Sequence, residues 1–183
     1  GFNPHCPRVK KLLPEDTNVM TLFDLTGKTA IVTGSTKGIG RATANRLAEH
    51  GANVVISSRK ASACNQVAED VTRNWANGSA KAIPIPCNIY HKEQLRVLVD
   101  KTLDTFGTID ILVCNAAINP YFGPSADISD EAFNKTMESN VRSNFWLCNM
   151  VIAEMDNIQG GSITIISSIG GLRGRPLIGA YGI

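Results

Sequence analysis

The sequence predicts an α/β fold in which helices cover both faces of a doubly wound, Rossmann-type parallel sheet. Short continuous apolar runs, of which Ala30-Ile31-Val32 is the first, are typical of strands buried on both faces. Stretches with apolar residues at helical spacing separate these runs. A glycine-rich turn, T-G-S-T-K-G-I-G at residues 33–40, joins the first strand to the first helix. Regular alternation of strand and helix favours a parallel sheet, because parallel neighbours need a long crossover connection.

The predicted elements follow in chain order. The first strand lies within 28–33, and the helix after the turn ends at His50-Gly51, since glycine is the common residue after a helix end. A second helix covers 64–75, and a third covers 95–106 and ends at Gly107. Ser129 is a good N-cap for a long helix that runs through Met155. The remaining strands are predicted at 53–57, 82–85, 109–114 and 162–167.

The carboxyl ends of the predicted strands gather the candidate site residues. Gly34, Ser58, Asn115 and Ser168 each fall where a strand ends. Ligands of open parallel sheets bind outside the carboxyl ends of the strands. We therefore expect the functional site along this edge of the sheet.

The glycine-rich turn is predicted to hold the phosphates of a dinucleotide. Backbone N–H groups at a helix N-terminus attract anions. Gly34 would permit the tight turn, Gly38 the close approach of a phosphate, and Gly40 the packing of helix on strand. The spacing is G-x-x-x-G-x-G, and an ordinary strand–helix loop is the alternative reading of this motif alone. The other turn residues expected to contact the cofactor are Ser35, Lys37 and Ile39.

Composition narrows the function classes. The chain has 183 residues, 43% of them hydrophobic, and a net charge of +2. No apolar run approaches the roughly twenty residues of a membrane span, and no Lys/Arg block interleaves with aromatic residues, so neither a membrane nor a nucleic acid is expected as a partner. The histidines have no metal-ligand spacing. The five scattered cysteines predict free thiols in a reducing compartment, and hence a cytoplasmic protein.

The first nineteen residues are expected to lie outside the domain. They include three prolines and three basic residues, show no periodicity and lack the apolar core of a signal peptide. Met20 is a natural start for a domain that covers 20–183. We expect residues 1–19 to be a disordered or non-native extension.

These motifs together resemble the short-chain dehydrogenase/reductase family over about residues 22–183. The turn matches the family's T-G-x-x-x-G-x-G, and residues 114–117 resemble its N-N-A-G motif except at the first and last letters. Ser168 stands thirteen positions before Tyr181, which is the family's spacing. Residues 57–60 and 119–123 resemble, within the family, carbonyl and retinal reductases of the dehydrogenase/reductase member 4 type. Asn140 matches the family's Asn-bearing helix, and Asn115-Ala116 would lie beside the cofactor. Asn88 stands where many members of the family carry an Asp near the adenine.

The resemblance implies a small-molecule substrate that is converted between carbonyl and alcohol by hydride transfer. Tyr181 would be the acid/base, Ser168 would polarise the carbonyl, and Asn140 would hold a water of the proton relay. The family also uses a lysine four residues after the tyrosine, at what would be position 185, beyond Ile183. We therefore expect an incomplete domain without its last third. A non-catalytic fragment that binds nucleotide or a partner chain is the alternative. A full-length form is expected to be a homo-oligomer, dimer or tetramer.

The end of the second strand predicts NADP(H) in preference to NAD(H). An acidic residue there would bind the ribose 2′-hydroxyl of NAD. This sequence has Ser58, Arg59 and Lys60, with no Asp or Glu between Glu49 and Glu69. Arg59 can pair with a 2′-phosphate, and Lys37 can add a second positive charge. A solvated helix entry is the alternative interpretation of Arg59 and Lys60.

Overall fold

A computed structural model describes residues 22–158 and 160–182 of the chain. Five strands form one sheet in the order β3-β2-β1-β4-β5, and every neighbouring pair is parallel. The strand order reverses between β1 and β4, so the carboxyl ends of these two strands form the crevice where such sheets bind ligands. The strands are β1 Thr29–Thr33, β2 Asn53–Ser57, β3 Ala82–Pro84, β4 Ile111–Cys114 and β5 Ser162–Ile165.

Helices cover both faces of the sheet, which confirms the predicted Rossmann-type architecture. They are α1 Gly38–Glu49, α2 Ala61–Asn74, α3 Lys92–Phe106, α4 Asp130–Met137 and α5 Ser143–Asn157. Gly107 ends α3 in the left-handed conformation, and the Ser129 hydroxyl accepts a hydrogen bond from the backbone N–H of Ala132, so both predicted caps are confirmed. Short 3₁₀ turns lie at Ser125–Asp127, Ile169–Gly171 and Gly179–Gly182.

Two apolar layers hold the helices to the sheet. Ile31, Val55 and Leu112 point to the layer under α3 and α5. Val32 and Val113 point to the layer under α1 and α2. Consecutive strand residues alternate between the two faces, so a continuous apolar run is needed to fill both layers. The edge strand β5 is less covered, and Ile165 is 55% exposed.

The structure differs from the prediction in two places, of which the first affects the site. The long helix expected from Ser129 to Met155 is interrupted by a π-helical turn at Glu138–Arg142. The fourth strand begins at Ile111, two residues later than predicted, and the Asp110 carboxylate before it accepts hydrogen bonds from Thr29 N and Lys28 Nζ, both at 2.9 Å. The extension predicted at residues 1–19 lies outside the described residues. Among the residues that the structure describes, no helix has the length and apolar character needed to cross a membrane.

Candidate functional site

The glycine-rich turn leaves β1 and opens α1, as the sequence predicts. Gly38 has φ of 56°, and a Cβ built there would meet no atom within 4 Å, so the turn is open on this side. A Cβ at Gly40 would lie 2.6 Å from the carbonyl oxygen of Gly34 and would also collide with the Asn115 side chain. Gly40 is therefore required by packing behind the turn, whereas Gly38 keeps the front accessible.

The turn is fastened to β4 by Asn115. The Asn115 Nδ2 donates to the carbonyl oxygens of Thr33 at 2.9 Å and Gly34 at 3.3 Å. The Thr33 hydroxyl accepts hydrogen bonds from the backbone N–H groups of Asn115 and Ala116, both at 3.0 Å. These bonds join the carboxyl ends of β1 and β4 at the crevice. Thr33 was not a predicted site residue, although it is the first residue of the matched T-G-x-x-x-G-x-G turn.

Ser35 fastens the same turn to β2. Its backbone N–H donates to the Ser57 carbonyl at 3.1 Å, and its hydroxyl accepts from the Ser57 N–H at 2.8 Å. The residue is fully buried. The Ser35 side chain therefore positions the turn from within the sheet and does not face the crevice.

An open cleft of about 1480 Å³ runs along this edge of the sheet. That volume exceeds the roughly 300–1,000 Å³ of ordinary small-molecule pockets. All the predicted cofactor residues line the cleft except Ser35 and Gly40, which lie behind it; those in the lining are Gly34, Lys37, Gly38, Ile39, Ser58, Arg59, Asn88, Asn115 and Ala116. The carboxyl ends of β1, β2 and β4 thus meet one continuous cavity.

Positive charge collects where β2 ends. Lys37, Arg59 and Lys60 are exposed and border the cleft. None of the three forms an ion pair within residues 22–158 and 160–182. Ser58 is half-buried between them and the sheet, and its carbonyl accepts a hydrogen bond from the Cys87 N–H at 3.0 Å. An anionic ligand at this end would meet three uncompensated cations.

The loop after β3 forms the next stretch of the cleft wall. Asn88 Oδ1 accepts a hydrogen bond from the Tyr90 N–H at 3.3 Å, and the Asn88 N–H donates to Gln94 Oε1 at 2.8 Å. Tyr90 faces Glu138, and acceptance by that carboxylate raises the pKa of the Tyr90 phenol. The same contact, together with Arg142, lowers the pKa of Glu138. Tyr90 and Glu138 are cleft residues that no local motif signalled.

Asn140 lies in the π-helical turn and binds the loop that follows β4. Its Oδ1 accepts from the Ile118 N–H at 2.9 Å, and its Nδ2 donates to the Ile118 carbonyl at 2.8 Å. Its own carbonyl accepts from Asn144 Nδ2 at 2.8 Å. Single π-turns inside α-helices are frequent at functional sites. Here the turn directs an amide side chain across the loop that leads away from Asn115.

Ser168 and Tyr181 meet at Gly170. The Ser168 hydroxyl accepts a hydrogen bond from the Gly170 N–H at 3.1 Å. A Cβ at Gly170 would lie 3.4 Å from Ser168 Oγ and 3.8 Å from Tyr181 Cδ1. The two side chains therefore flank one buried glycine although thirteen positions separate them. Tyr181 and Tyr121 line a second, much smaller pocket, and neither Ser168 nor Tyr181 belongs to the lining of the large cleft.

The cysteines of the described residues are free thiols: Cys64, Cys87, Cys114 and Cys148. Burial, with smaller effects from neighbouring thiols, raises the pKa of Cys87 and of Cys114 to about 12. Both are therefore unreactive core residues near neutral pH. Within the described residues, no group of three or more His, Cys, Asp or Glu side chains could hold a metal ion.

Comparison with known proteins agrees with this architecture. A family model described as short chain dehydrogenase matches residues 28–182. The chain is 36% identical over 177 residues to dehydrogenase/reductase SDR family member 4 of Sus scrofa, which covers 95% of this chain and 61% of that protein. It is 39% identical over 157 residues to the protein of the same name from Caenorhabditis elegans, which covers 86% of this chain and 59% of that protein. The chain thus spans about three-fifths of the length of these relatives.

Solved structures of this fold superpose closely. A 7α-hydroxysteroid dehydrogenase complexed with NADH and 7-oxo glycochenodeoxycholic acid has a TM-score of 0.83 and 32% identity, over 91% of this chain and 62% of that chain. A short-chain type dehydrogenase/reductase from Mycobacterium marinum has a TM-score of 0.82 and 32% identity, over 91% and 66%. The relatives of the member 4 type confirm the narrower resemblance seen in the sequence. The chain belongs to the short-chain dehydrogenase/reductase family.

Proposed function

We propose that this chain forms the cofactor and reaction site of an NADP(H)-dependent oxidoreductase that interconverts a carbonyl and an alcohol. The observation that carries the proposal is the cleft itself, because its wall joins the open glycine turn, the cationic end of β2 and the Asn88 loop. The family supports an oxidoreductase, and a nicotinamide cofactor supplies the hydride when bound. The remaining chemistry belongs to residues of this chain.

The turn suits a pyrophosphate. Gly38 is open towards the cleft and stands at the first turn of α1, a helix of twelve residues whose N-terminal N–H groups attract anions. Gly40 lets the helix approach the strand closely, and Asn115 holds the turn in place. These residues would hold the diphosphate, and Asn88 and Ile89 would border the adenosine.

NADP(H) is favoured over NAD(H) by the charges where β2 ends. Ser58 offers a hydroxyl, and Arg59 offers a fork of donors that matches a phosphate. No carboxylate follows β2 to repel that phosphate, since no acidic residue occurs between Glu49 and Glu69. A charge-assisted hydrogen bond contributes about 1.5–3 kcal/mol, which corresponds to about tenfold to a hundredfold in affinity.

The cofactor proposal is tested with adenosine 2′,5′-bisphosphate and 5′-AMP, which differ only in the 2′-phosphate. Calorimetry on the 183-residue chain should give tighter binding of the bisphosphate by about tenfold or more. Arg59→Ala should remove most of that difference, whereas Lys81→Ala, a lysine outside the cleft lining, should preserve it. Equal affinities in the parent would refute the preference, and an unchanged ratio in Arg59→Ala would refute the role of Arg59. In a form that turns over, kcat/KM for NADPH against NADH gives the same comparison.

The reaction would use Ser168 and Tyr181. Ser168 would donate to the carbonyl oxygen of a substrate and so stabilise the developing alkoxide. Tyr181 would give that alkoxide its proton, and would take the proton back in the oxidative direction. The Asn140 side chain is engaged with Ile118, so its contribution to a water relay would fall to its backbone carbonyl or to the placement of the Ile118 loop.

A nucleotide-binding polypeptide without turnover is the second candidate for residues 1–183 taken alone. Ser168 and Tyr181 lie outside the lining of the large cleft, so nucleotide binding does not by itself require them. On this candidate, the purified 183-residue chain should bind adenosine 2′,5′-bisphosphate but should not oxidise NADPH in the presence of aldehydes or dicarbonyls faster than a protein-free control. Turnover well above that control would exclude this candidate.

We also propose that the protein self-associates in the cytoplasm. The exposed side of α5 and of the π-turn before it carries an apolar stripe, Val141, Phe145 and Ile152, in which Phe145 is 66% exposed. Exposed apolar stripes of this kind often mark protein–protein interfaces. The cytoplasmic location rests on the free thiols, which suit a reducing compartment. Light scattering should detect a dimer or tetramer, and Phe145→Asp should shift it towards monomer, whereas Glu154→Gln on the same helix should not. A monomeric parent would refute the assembly, and cell fractionation tests the location.

A further inference from the structure

Ser58 has a buried sulfur neighbour. Cys64 lies in the first turns of α2 and has no exposed surface. Its Sγ is 3.5 Å from the Ser58 carbonyl oxygen and 3.5 Å from Ser58 Oγ. The Ser58 carbonyl also accepts a hydrogen bond from the Cys87 N–H. Ser58 is thus held from the core side by two residues that stand 6 and 29 positions further along the chain.

Cys64 has two possible hydrogen bonds with Ser58, one to its backbone carbonyl and one that restrains its side chain. The thiol has one proton, so it donates to either the carbonyl or the hydroxyl oxygen of Ser58. When it donates to the carbonyl, the Ser58 hydroxyl can donate to the sulfur. In each arrangement the contact favours one χ1 rotamer of Ser58, a side chain that would otherwise choose among three staggered wells.

Packing alone does not require a thiol at this position. Cys64 shares its helix face with Val67, Ala68 and Val71, all buried in the layer under α1 and α2. An alanine or valine would continue that apolar face. What sulfur adds is a weak hydrogen-bonding contact directed at the last residue before the cationic pair Arg59 and Lys60.

We propose that Cys64 is a positioning residue for cofactor discrimination, which orients the Ser58 hydroxyl so that it acts with Arg59 on the 2′-phosphate. Cys64 does not itself touch the ligand, because it is fully buried behind Ser58. This inference rests on the proposed NADP(H) site. Because the Ser58 hydroxyl is already held in one rotamer, less side-chain entropy is lost when the phosphate binds. This preorganisation raises the affinity only for the ligand that carries the 2′-phosphate.

The test measures dissociation constants of the 183-residue chain for adenosine 2′,5′-bisphosphate and for 5′-AMP. Cys64→Ala should weaken bisphosphate binding by about three- to tenfold, the scale of one modest hydrogen bond, and leave 5′-AMP binding unchanged. Cys64→Ser should retain most of the discrimination, because it keeps a donor. Cys148→Ala, which truncates a cysteine on the opposite face of the sheet, should change neither constant.

Two further measurements separate positioning from a general loss of stability. In a Ser58→Ala background the effect of Cys64→Ala should vanish, because the side chain that Cys64 orients is absent. Cys64→Val fills the space of the thiol without a donor, and it should reproduce the loss of discrimination even if the alanine variant unfolds. Equal weakening of both ligands, an unchanged ratio in Cys64→Val, or an undiminished effect in the Ser58→Ala background would each overturn the inference.

Failure of this inference is distinguishable from failure of the NADP(H) proposal. If Arg59→Ala removes the preference for the bisphosphate while Cys64→Val preserves it, only the role of Cys64 is wrong. If the parent chain does not prefer the bisphosphate, the NADP(H) proposal is wrong and the role of Cys64 falls with it.

Discussion

Asn115 is the residue whose removal should most clearly loosen the cofactor turn without touching a catalytic group. Its Nδ2 donates to the carbonyl oxygens of Thr33 and Gly34 at 2.9 and 3.3 Å, across 82 and 81 positions of the chain. Asn115→Ala removes both bonds and leaves two carbonyl groups at the crevice without that donor. A hydrogen bond of this kind contributes about 0.5–1.5 kcal/mol, so the variant should lose about 2 kcal/mol of unfolding free energy.

The expected loss corresponds to a decrease of about 4–8 °C in Tm for a chain of this size. Urea unfolding followed by circular dichroism measures it, and nucleotide affinity should fall in parallel because the turn loses its anchor. Asn115→Asp should be worse, since a carboxylate would face two carbonyl oxygens and could donate to neither. Its defect should lessen at low pH, where the protonated acid regains one donor.

Asn149→Ala is the matched control. Asn149 also donates through Nδ2 to a backbone carbonyl, that of Phe145 at 2.7 Å, but it is exposed and the bond is local to α5. Its loss should change stability by about 0.5 kcal/mol or less, as for ordinary surface substitutions. If Asn115→Ala is no less stable than Asn149→Ala, the proposed anchoring of the turn is refuted.

Three further predictions concern packing, catalysis and thiol chemistry. Gly40→Ala should lower the free energy of unfolding in urea by about 1–3 kcal/mol, because the added Cβ has no space behind the turn. Gly174→Ala, whose added Cβ would meet no atom within 4 Å, should leave it unchanged. Equal effects of the two substitutions would contradict the packing argument. In a form of the protein that catalyses turnover, Tyr181→Phe should abolish steady-state reduction without changing nucleotide affinity. Ser168→Ala should lower kcat by roughly a hundredfold. If Tyr181→Phe retains a tenth of the activity, the acid/base role of Tyr181 is refuted. Burial raises the pKa of Cys114 to about 12, so its alkylation at pH 8 should be much slower than in the urea-unfolded chain. Similar labelling rates by mass spectrometry would contradict that burial.

Much of the fold could be predicted from local sequence. The apolar runs located the central strands β1, β2 and β4 because a strand buried on both faces needs consecutive apolar residues. They also located the edge strands β3 and β5, which the structure leaves largely uncovered. Gly107 and Ser129 marked helix ends because their conformational and capping preferences act within four residues. The glycine spacing and the basic residues after β2 pointed to the cleft for the same reason, since each signal is contained in a short segment.

Only the tertiary structure decided how those segments cooperate. The mutual hydrogen bonds of Thr33 and Asn115 join residues 82 positions apart, and no local pattern contains them. Ser35 belongs to a predicted cofactor turn, yet its hydroxyl is consumed by β2, because burial there requires a backbone partner.

The same holds for the π-helical turn at Asn140. The residues of this turn have ordinary helical preferences. The Asn140 side-chain amide nevertheless bonds to the backbone N–H and the carbonyl oxygen of Ile118, which lies in another part of the fold. The sequence by itself determined which elements form and which chemical groups reach the edge of the sheet, because apolar periodicity, glycine and capping residues act locally. The structure decided which of those groups face the cleft and which hold it together, because that depends on hydrogen bonds between segments that meet only when the sheet is assembled.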